Sequence, residues 1–303
     1  PRALPVPGGD LAAMSDDFLD LETLPESIIF VGGGYISMEF AFVAAIAGSR
    51  VTVLEQADRI LLQFPAELAR LLAGQAETLG ITVVPGTGID EIQRSGSGFE
   101  VKSDKGTFSA EMVVASIGRI PNIESLGLEE RGIDYSQRGI EINKWMETSV
   151  SSIYAIGDCV ATKQLSPIAD MESRIAVANV LHPRSAVGDY ESIPSVCFTH
   201  PQIASVGLTQ EEANQQDIEL TVSSGDGSRW PNYLRLKADL VHYCVLAEKE
   251  SGRIVGAHLI SPYAGEIINV FALAMRAGVT AAELQNLPWA YPTYSSDIKY
   301  MVE

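Results

Sequence analysis

Short apolar runs alternating with longer mixed stretches set the pattern of the first third of the chain. Ile28–Val31 is wholly apolar. A glycine turn follows, then a helical stretch from about Tyr35 to Ala47 that stops at Gly48, then a second apolar run, Val51–Leu54. Apolar runs of this length bounded by glycine read as buried strands, and strand, helix and strand in succession make a βαβ unit of a parallel sheet. Pro65 suits the first turn of another helix, which Gly80 closes before the strand Ile81–Val84. The pattern then changes. Phe99–Lys102 and Thr107–Ser109 flank the turn Ser103-Asp104-Lys105-Gly106, and Met112–Ala115 is again all apolar, which predicts a β-meander inserted in an α/β domain. Ahead of all this, the Pro- and Gly-rich opening predicts a linker, and Ser15–Leu24 a short polar helix or turn.

The stretch from Pro121 to Tyr190 predicts a smaller separate unit, with a short strand at Ile153–Ile156 and a helix from about Pro167 to Leu181. Beyond Ile193 the predicted strands are Ser195–Phe198, Glu219–Ser223, Tyr233–Ala238, Cys244–Glu248 and Ile254–Ile260, with helices near Thr209–Gln216 and Ala264–Ala277. That order is α+β. Thr209 with Glu212, and Thr280 with Glu283, have the spacing of capping boxes and are assigned no chemistry.

Composition narrows the class. Of 303 residues 46% are hydrophobic and 20% charged, and no apolar run approaches the roughly 18 residues of a membrane span. A soluble globular chain with no membrane partner is expected. The net charge of −18 opposes nucleic acid as a partner. Cys159, Cys197 and Cys244 are too widely spaced for a disulfide framework or a metal site, so a reducing cytoplasm is the expected compartment. The opening PRALPVPGGD has no basic segment leading into an apolar one, and it reads as a chain cut from something longer.

The first candidate chemistry lies in IIFVGGGYISME. Gly32 and Gly34 stand between a buried strand and a helix, where missing side chains let a pyrophosphate reach backbone N–H groups and the positive helix end. Ser37 holds the third fingerprint position, in place of Gly or Ala. Glu55 closes the next strand 23 residues after Gly32, close to the spacing at which an acid meets the ribose hydroxyls of a dinucleotide. A plain tight turn is the alternative for the glycines alone; strand, turn, helix and acid in order favour dinucleotide binding.

GGGYISME is similar to the nicotinamide-domain turn of the pyridine nucleotide-disulfide oxidoreductases, the family of glutathione reductase, dihydrolipoamide dehydrogenase and mercuric reductase. Four further segments resemble it in order: ASIGRIPN (Ala115–Asn122), SIYAIGD (Ser152–Asp158), LSPIA (Leu165–Ala169) and VCFTHPQIASVG (Val196–Gly207). The resemblance implies an α/β fold: a Rossmann-like NAD(P)-binding domain with β-meander at 21–122, the second part of an FAD-binding domain at 123–190, and a C-terminal α+β dimerisation domain at 191–303. Residues 1–20 would be the linker from an FAD half not contained in the chain. Implied nicotinamide contacts are Gly32, Gly34, Tyr35, Ser37, Glu55, Gly118 and Arg119, with Tyr35 as an aromatic gate; Arg119 is open between dinucleotide, flavin and a structural salt bridge. Implied FAD contacts are Gly157, Asp158, Pro167 and Ala169. Asp158 would accept from a ribitol hydroxyl, and the helix start near Pro167 would face the flavin pyrimidine edge. Glu39 matches a carboxylate that in relatives pairs with a lysine, here outside the chain.

One segment departs from the family. Disulfide-reducing members end in a segment resembling HPTSSE, whose His and Glu move a proton; here it is YPTYSS, Tyr291–Ser296, then Asp297. Tyr291 stands at the His position, and an ordinary phenol, titrating near 10, is a poor base at neutral pH. The four histidines read as structural or solvated, and Cys159 as a core-filling thiol. The expected function is an FAD-dependent NAD(P)H oxidoreductase of glutathione reductase type, preferring NADH to NADPH, homodimeric, with a small-molecule or small-thiol acceptor. The fragment alone is expected to be inactive. Alternatives are an NADH oxidase or metal-ion reductase, and a non-catalytic dinucleotide-binding dimer module.

Overall fold

A computed structural model describes residues 1–303. Two compact units form: Ala3–Ile117 together with Ser192–Glu303, and Gly118–Glu191. No helix is long and apolar enough to cross a membrane.

The first stretch opens with a short helix, α1 (Ser15–Leu19), then β1 (Ser27–Val31), α2 (Tyr35–Ile46), β2 (Arg50–Leu54), α3 (Ala66–Thr78) and β3 (Ile81–Val84). A three-stranded meander follows, β4 (Ile89–Ser95), β5 (Gly98–Ser103) and β6 (Gly106–Ala110), then β7 (Met112–Ala115). The four apolar strands make a parallel sheet in the order β3-β2-β1-β7. Parallel strands covered on both faces are apolar throughout rather than alternating, and Ile28, Ile29, Phe30 and Val31 are all buried. Met38, Ala41 and Phe42 of α2 and Leu68, Ala69 and Leu72 of α3 pack on one face, Ile92, Val101 and Ala110 of the meander on the other.

The opening residues, expected as a linker, lie against this sheet. Leu4 and Ala12 are buried, the Ala13 N–H donates to Val113 O and the Ala115 N–H to Ala13 O, each at 2.8 Å. Leu4, Val6 and Leu11 join the core behind β7, so their apolar surface ties down a segment whose Pro and Gly content read as tether. Strand β4 carries no strand pattern in the sequence, because its apolar positions, Ile89 and Ile92, are three apart and do not alternate.

The second unit contains the two-residue strands β8 (Tyr135–Ser136) and β9 (Gly139–Ile140) and one long helix, α4 (Ser166–Leu181). The expected strand at Ile153–Ile156 is corrected: only Tyr154 makes a bridge, to Glu147. Ile153 and Ala155 pack in a small cluster with Ile123, Leu128, Ile133 and Ile140, while Tyr154 and Ile156 pack against Met146, Ile175 and Ala176, so their hydrophobicity reflects packing on two sides without a strand ladder.

The chain returns to the first unit with β10 (Ser195–Cys197), β11 (Gln202–Gly207), α5 (Gln210–Gln215), β12 (Leu220–Asp226), α6 (Pro231–Leu236), β13 (His242–Glu248) and β14 (Ile254–Ser261). The C-terminal helices are α7 (Ala264–Arg276), α8 (Ala281–Asn286) and α9 (Ile298–Met301). The five strands form an antiparallel sheet in the order β10-β11-β14-β13-β12, with Ile267, Ile268 and Phe271 of α7 buried in the core it shares with β11 and β14. Tyr233–Ala238, expected as a strand, is mostly α6. Pro231 stands in the helix's first turn, where its fixed φ and missing N–H cost nothing. Both predicted capping boxes form, Thr209 accepting from the Glu212 N–H and Thr280 from the Glu283 N–H.

Candidate functional site

The first site is built where β1 turns into α2. Gly32 has φ +105°, and a Cβ there would lie 2.6 Å from Ser116 O, so both the backbone conformation and the neighbouring chain demand glycine. Gly34 caps α2 without any side-chain hydrogen bond, and nothing lies within 4 Å of where its Cβ would be. An uncapped helix start facing open space offers its N–H groups and the positive end of the helix dipole to an anion. Ser37 is fully buried and its Oγ has no partner, so it packs at the third fingerprint position and leaves one polar atom orphaned.

Glu55 bends over the turn. One carboxylate oxygen accepts the Gly33 N–H and the other accepts the Ala57 N–H at 2.6 Å. A Cβ on Gly33 would meet that carboxylate at 2.9 Å, so glycine and acid are matched. Arg59 donates to the carbonyls of Ile60, Leu61 and Leu62 at 3.3, 3.0 and 3.2 Å; its guanidinium is committed to its own loop.

Tyr35, half-buried, lies 5.4 Å from the Phe64 ring, and burial raises its phenol above the ordinary value. Glu39 finds a partner within the chain, accepting the Phe198 N–H at 2.8 Å. Cys197 lies alongside, its Sγ 3.9 Å from Tyr35 O. Burial, reinforced by the Glu39 charge, pushes its thiol up, which keeps it protonated and unreactive. Only folding brings Cys197 to this place.

In the second unit Gly157 opens a short 3-10 turn with φ +71°. Its Cβ position would be 3.3 Å from the Ala169 Cβ. Asp158 is exposed, and so is Pro167 in the first turn of α4, whose start has no side-chain cap. Gly118 and Arg119 are exposed in this unit. The residue missed in the sequence is Glu172. Its side chain is fully buried and accepts the Gly157 N–H at 2.7 Å and the Tyr190 O–H at 2.8 Å. A signal was present: Ile168, Glu172, Ile175, Ala176 and Asn179 fall at helical spacing on one buried face of α4.

Tyr291 is 64% exposed. Ser296 is buried and donates to Thr293 O at 2.6 Å, while Asp297 accepts twice from Asn232 Nδ2, at 3.1 and 3.0 Å. Burial raises the Asp297 carboxyl. Nowhere do three His, Cys, Asp or Glu side chains gather as a metal site. The residues named from the sequence therefore divide between the units: Gly32, Gly34, Tyr35, Ser37, Glu39, Glu55 and Tyr291 lie in one, and Gly157, Asp158, Pro167 and Ala169 in the other, together with Gly118 and Arg119, which the resemblance implies are nicotinamide contacts.

The chain is similar to known proteins along its length. It is 34% identical over 285 residues to a dihydrolipoyl dehydrogenase of Corynebacterium glutamicum, covering 91% of this chain and 61% of the relative. A dihydrolipoyl dehydrogenase of Geobacillus stearothermophilus is 33% identical over 280 residues, 91% of this chain and 59% of the relative. The chain thus spans about three fifths of the length of these relatives. Among solved structures, LpdA from Mycobacterium tuberculosis superposes with a TM-score of 0.91 at 26% identity, covering 100% of this chain and 67% of that one. The HOCl-induced flavoprotein disulfide reductase RclA from Escherichia coli gives 0.94 at 24% identity, covering 100% and 71%, and shows the shared fold. The pyridine nucleotide-disulphide oxidoreductase model matches residues 1–180 and the dimerisation-domain model of the same name residues 193–302, and the chain belongs to that family.

Proposed function

We propose that this chain carries the nicotinamide site, part of the flavin site and the dimer-forming domain of an NADH-dependent, FAD-containing oxidoreductase resembling glutathione reductase, with a small molecule as electron acceptor. The observation that carries this reading is the Glu55 carboxylate, held against the Gly33 amide at an uncapped helix start. In that role the free N–H groups at the start of α2 receive the pyrophosphate, and Glu55 receives the adenosine ribose hydroxyls. Tyr35 covers the nicotinamide place and swings aside when the dinucleotide enters.

The residues of the second unit fit FAD: Gly157 is too closely faced by Ala169 to carry a larger side chain freely, Asp158 presents an exposed acceptor, and the start of α4 is uncapped. Bound FAD would supply hydride acceptance from the nicotinamide. Asp158 would accept from a ribitol hydroxyl, and the positive end of α4, near Pro167 and Ala169, would favour negative charge at the flavin's pyrimidine edge.

The preference for NADH follows from charge. A 2′-phosphate placed about 4 Å from Glu55 would be repelled by roughly 1–4 kcal/mol at effective dielectrics of about 80–20, and Arg59 is engaged elsewhere. Titration of the purified chain with both dinucleotides tests this: NADH should bind several-fold tighter or more, and equal affinities would overturn the reading. A second reading, a flavin NADH oxidase or metal-ion reductase needing no proton-moving pair, is favoured by exposed Tyr291 and by Asp297 being spent on Asn232. Consumption of oxygen or metal ion, with no thiol product, would select it.

A further inference from the structure

Glu172 lies on the buried face of α4 and exposes none of its surface. A carboxylate taken out of water is costly unless its partners replace the lost hydration. No cation does so, since Glu172 belongs to none of the ion pairs of the protein. Its two oxygens are instead divided between two donors. Oε2 accepts the Gly157 N–H at 2.7 Å and Oε1 accepts the Tyr190 O–H at 2.8 Å.

Both donors are themselves fixed. Gly157 is held in the left-handed region at φ +71°, close against Ala169. The Tyr190 ring lies over Gly188, where a Cβ would come within 2.6 Å of a ring carbon, and its hydroxyl is 3.9 Å from Met146 Sδ. Burial and the adjacent Glu172 raise this phenol above its ordinary value, so it remains a donor. A leucine or methionine would avoid the desolvation cost but would leave the Gly157 N–H and the Tyr190 O–H without an acceptor, so the acid here is tied to those two donors. What the acid uniquely does is hold the amide immediately ahead of the exposed Asp158.

We propose that Glu172 is the positioning residue of the flavin turn: anchored by Tyr190, it fixes the Gly157 amide and thereby aims Asp158 at the ribitol chain. The inference rests on the flavin reading of Gly157 and Asp158 given above. Glu172 itself touches no ligand.

The test uses the 303-residue chain with Glu172→Ala, Glu172→Gln, Tyr190→Phe and Asp158→Ala, read by amide hydrogen exchange and by titration with FAD. Glu172→Ala should speed exchange at Gly157–Cys159 while leaving β13 protected, and should weaken FAD binding by about tenfold or more. Glu172→Gln, which keeps an acceptor oxygen, should restore much of the protection. Combined with Asp158→Ala, Glu172→Ala should add little further loss, because both changes act through one contact. Unchanged exchange at Gly157, or independent additive losses, would overturn the proposal. Altered exchange together with FAD affinity insensitive to Asp158→Ala would overturn the flavin reading instead. If Glu172→Ala does not fold, Tyr190→Phe decides: losing the anchor must speed exchange at the same amides, while Glu172→Gln must leave them largely protected, for the proposal to stand.

Discussion

At the end of β1 the Gly33 amide donates to Glu55, and in the second unit the Gly157 amide donates to Glu172. Both turns depend on a glycine with positive φ, Gly32 at +105° and Gly157 at +71°, and both are followed by a helix or turn that leaves N–H groups free. The difference lies in how the acid is used. Glu55 is only partly buried, so the group that braces the turn is also the group a ribose would meet. In the second turn the tasks are divided: Glu172 braces from beneath, fully buried, and Asp158 faces solvent. One carboxylate suffices where strand end and turn are adjacent in a sheet. Two are needed where the bracing element is a helix packed under a short 3-10 turn.

The largest expected effect breaks the comparison at its glycines. Gly32→Ala places a Cβ 2.6 Å from the Ser116 carbonyl at a φ that L-residues avoid; strain and overpacking should cost about 3–5 kcal/mol, read as a drop in urea midpoint and loss of NADH binding. Next is Glu55→Ala. It removes the repulsion of a 2′-phosphate, so the NADH-to-NADPH affinity ratio should shrink by a factor equivalent to about 1–4 kcal/mol, and an unchanged ratio would show that specificity resides elsewhere. Gly157→Ala should be milder than Gly32→Ala, because only the Ala169 methyl lies near, at 3.3 Å; the left-handed backbone alone costs about 1–2 kcal/mol. Equal losses for the two glycines in parallel urea melts would erase the distinction between them.

The smallest effect locates an acid response away from both turns, in the antiparallel sheet. His258 in β14 is buried between Ser205 Oγ, 2.6 Å from Nδ1, and Leu208 O, 3.0 Å from Nε2. The carbonyl can only accept, so Nε2 carries the proton and Nδ1 accepts from the serine. Burial lowers its pKa to about 4, against about 6.5 in an unfolded chain. The unfolded state therefore binds more protons between those values, and stability present at neutral pH is lost as pH falls below about 6.5, by about 1 kcal/mol between roughly pH 7 and 5.5. His258→Gln should flatten that part of a pH series of melting curves.

Local order determined much of this protein. Apolar runs cut by glycine were enough to place β1, α2, β2, β3 and β7, and a Thr with Glu three residues on was enough to cap α5 and α8, because these signals act over a few residues. For the same reason Gly32, Gly34 and Glu55 were legible as a group: the spacing of one βαβ unit ties them together. Tertiary structure decided what depends on distant partners. The opening segment is ordered by β7, α6 forms where an apolar run looked like a strand, and Ile153–Ile156 packs partly buried with only a single bridge. The contacts that complete the sites join residues far apart in the chain: Glu172 and Gly157 are 15 apart, Asn232 and Asp297 65, Glu39 and Phe198 159. A carboxylate's role depends on which donor the packing sets before it, and periodicity and composition contain no record of that donor.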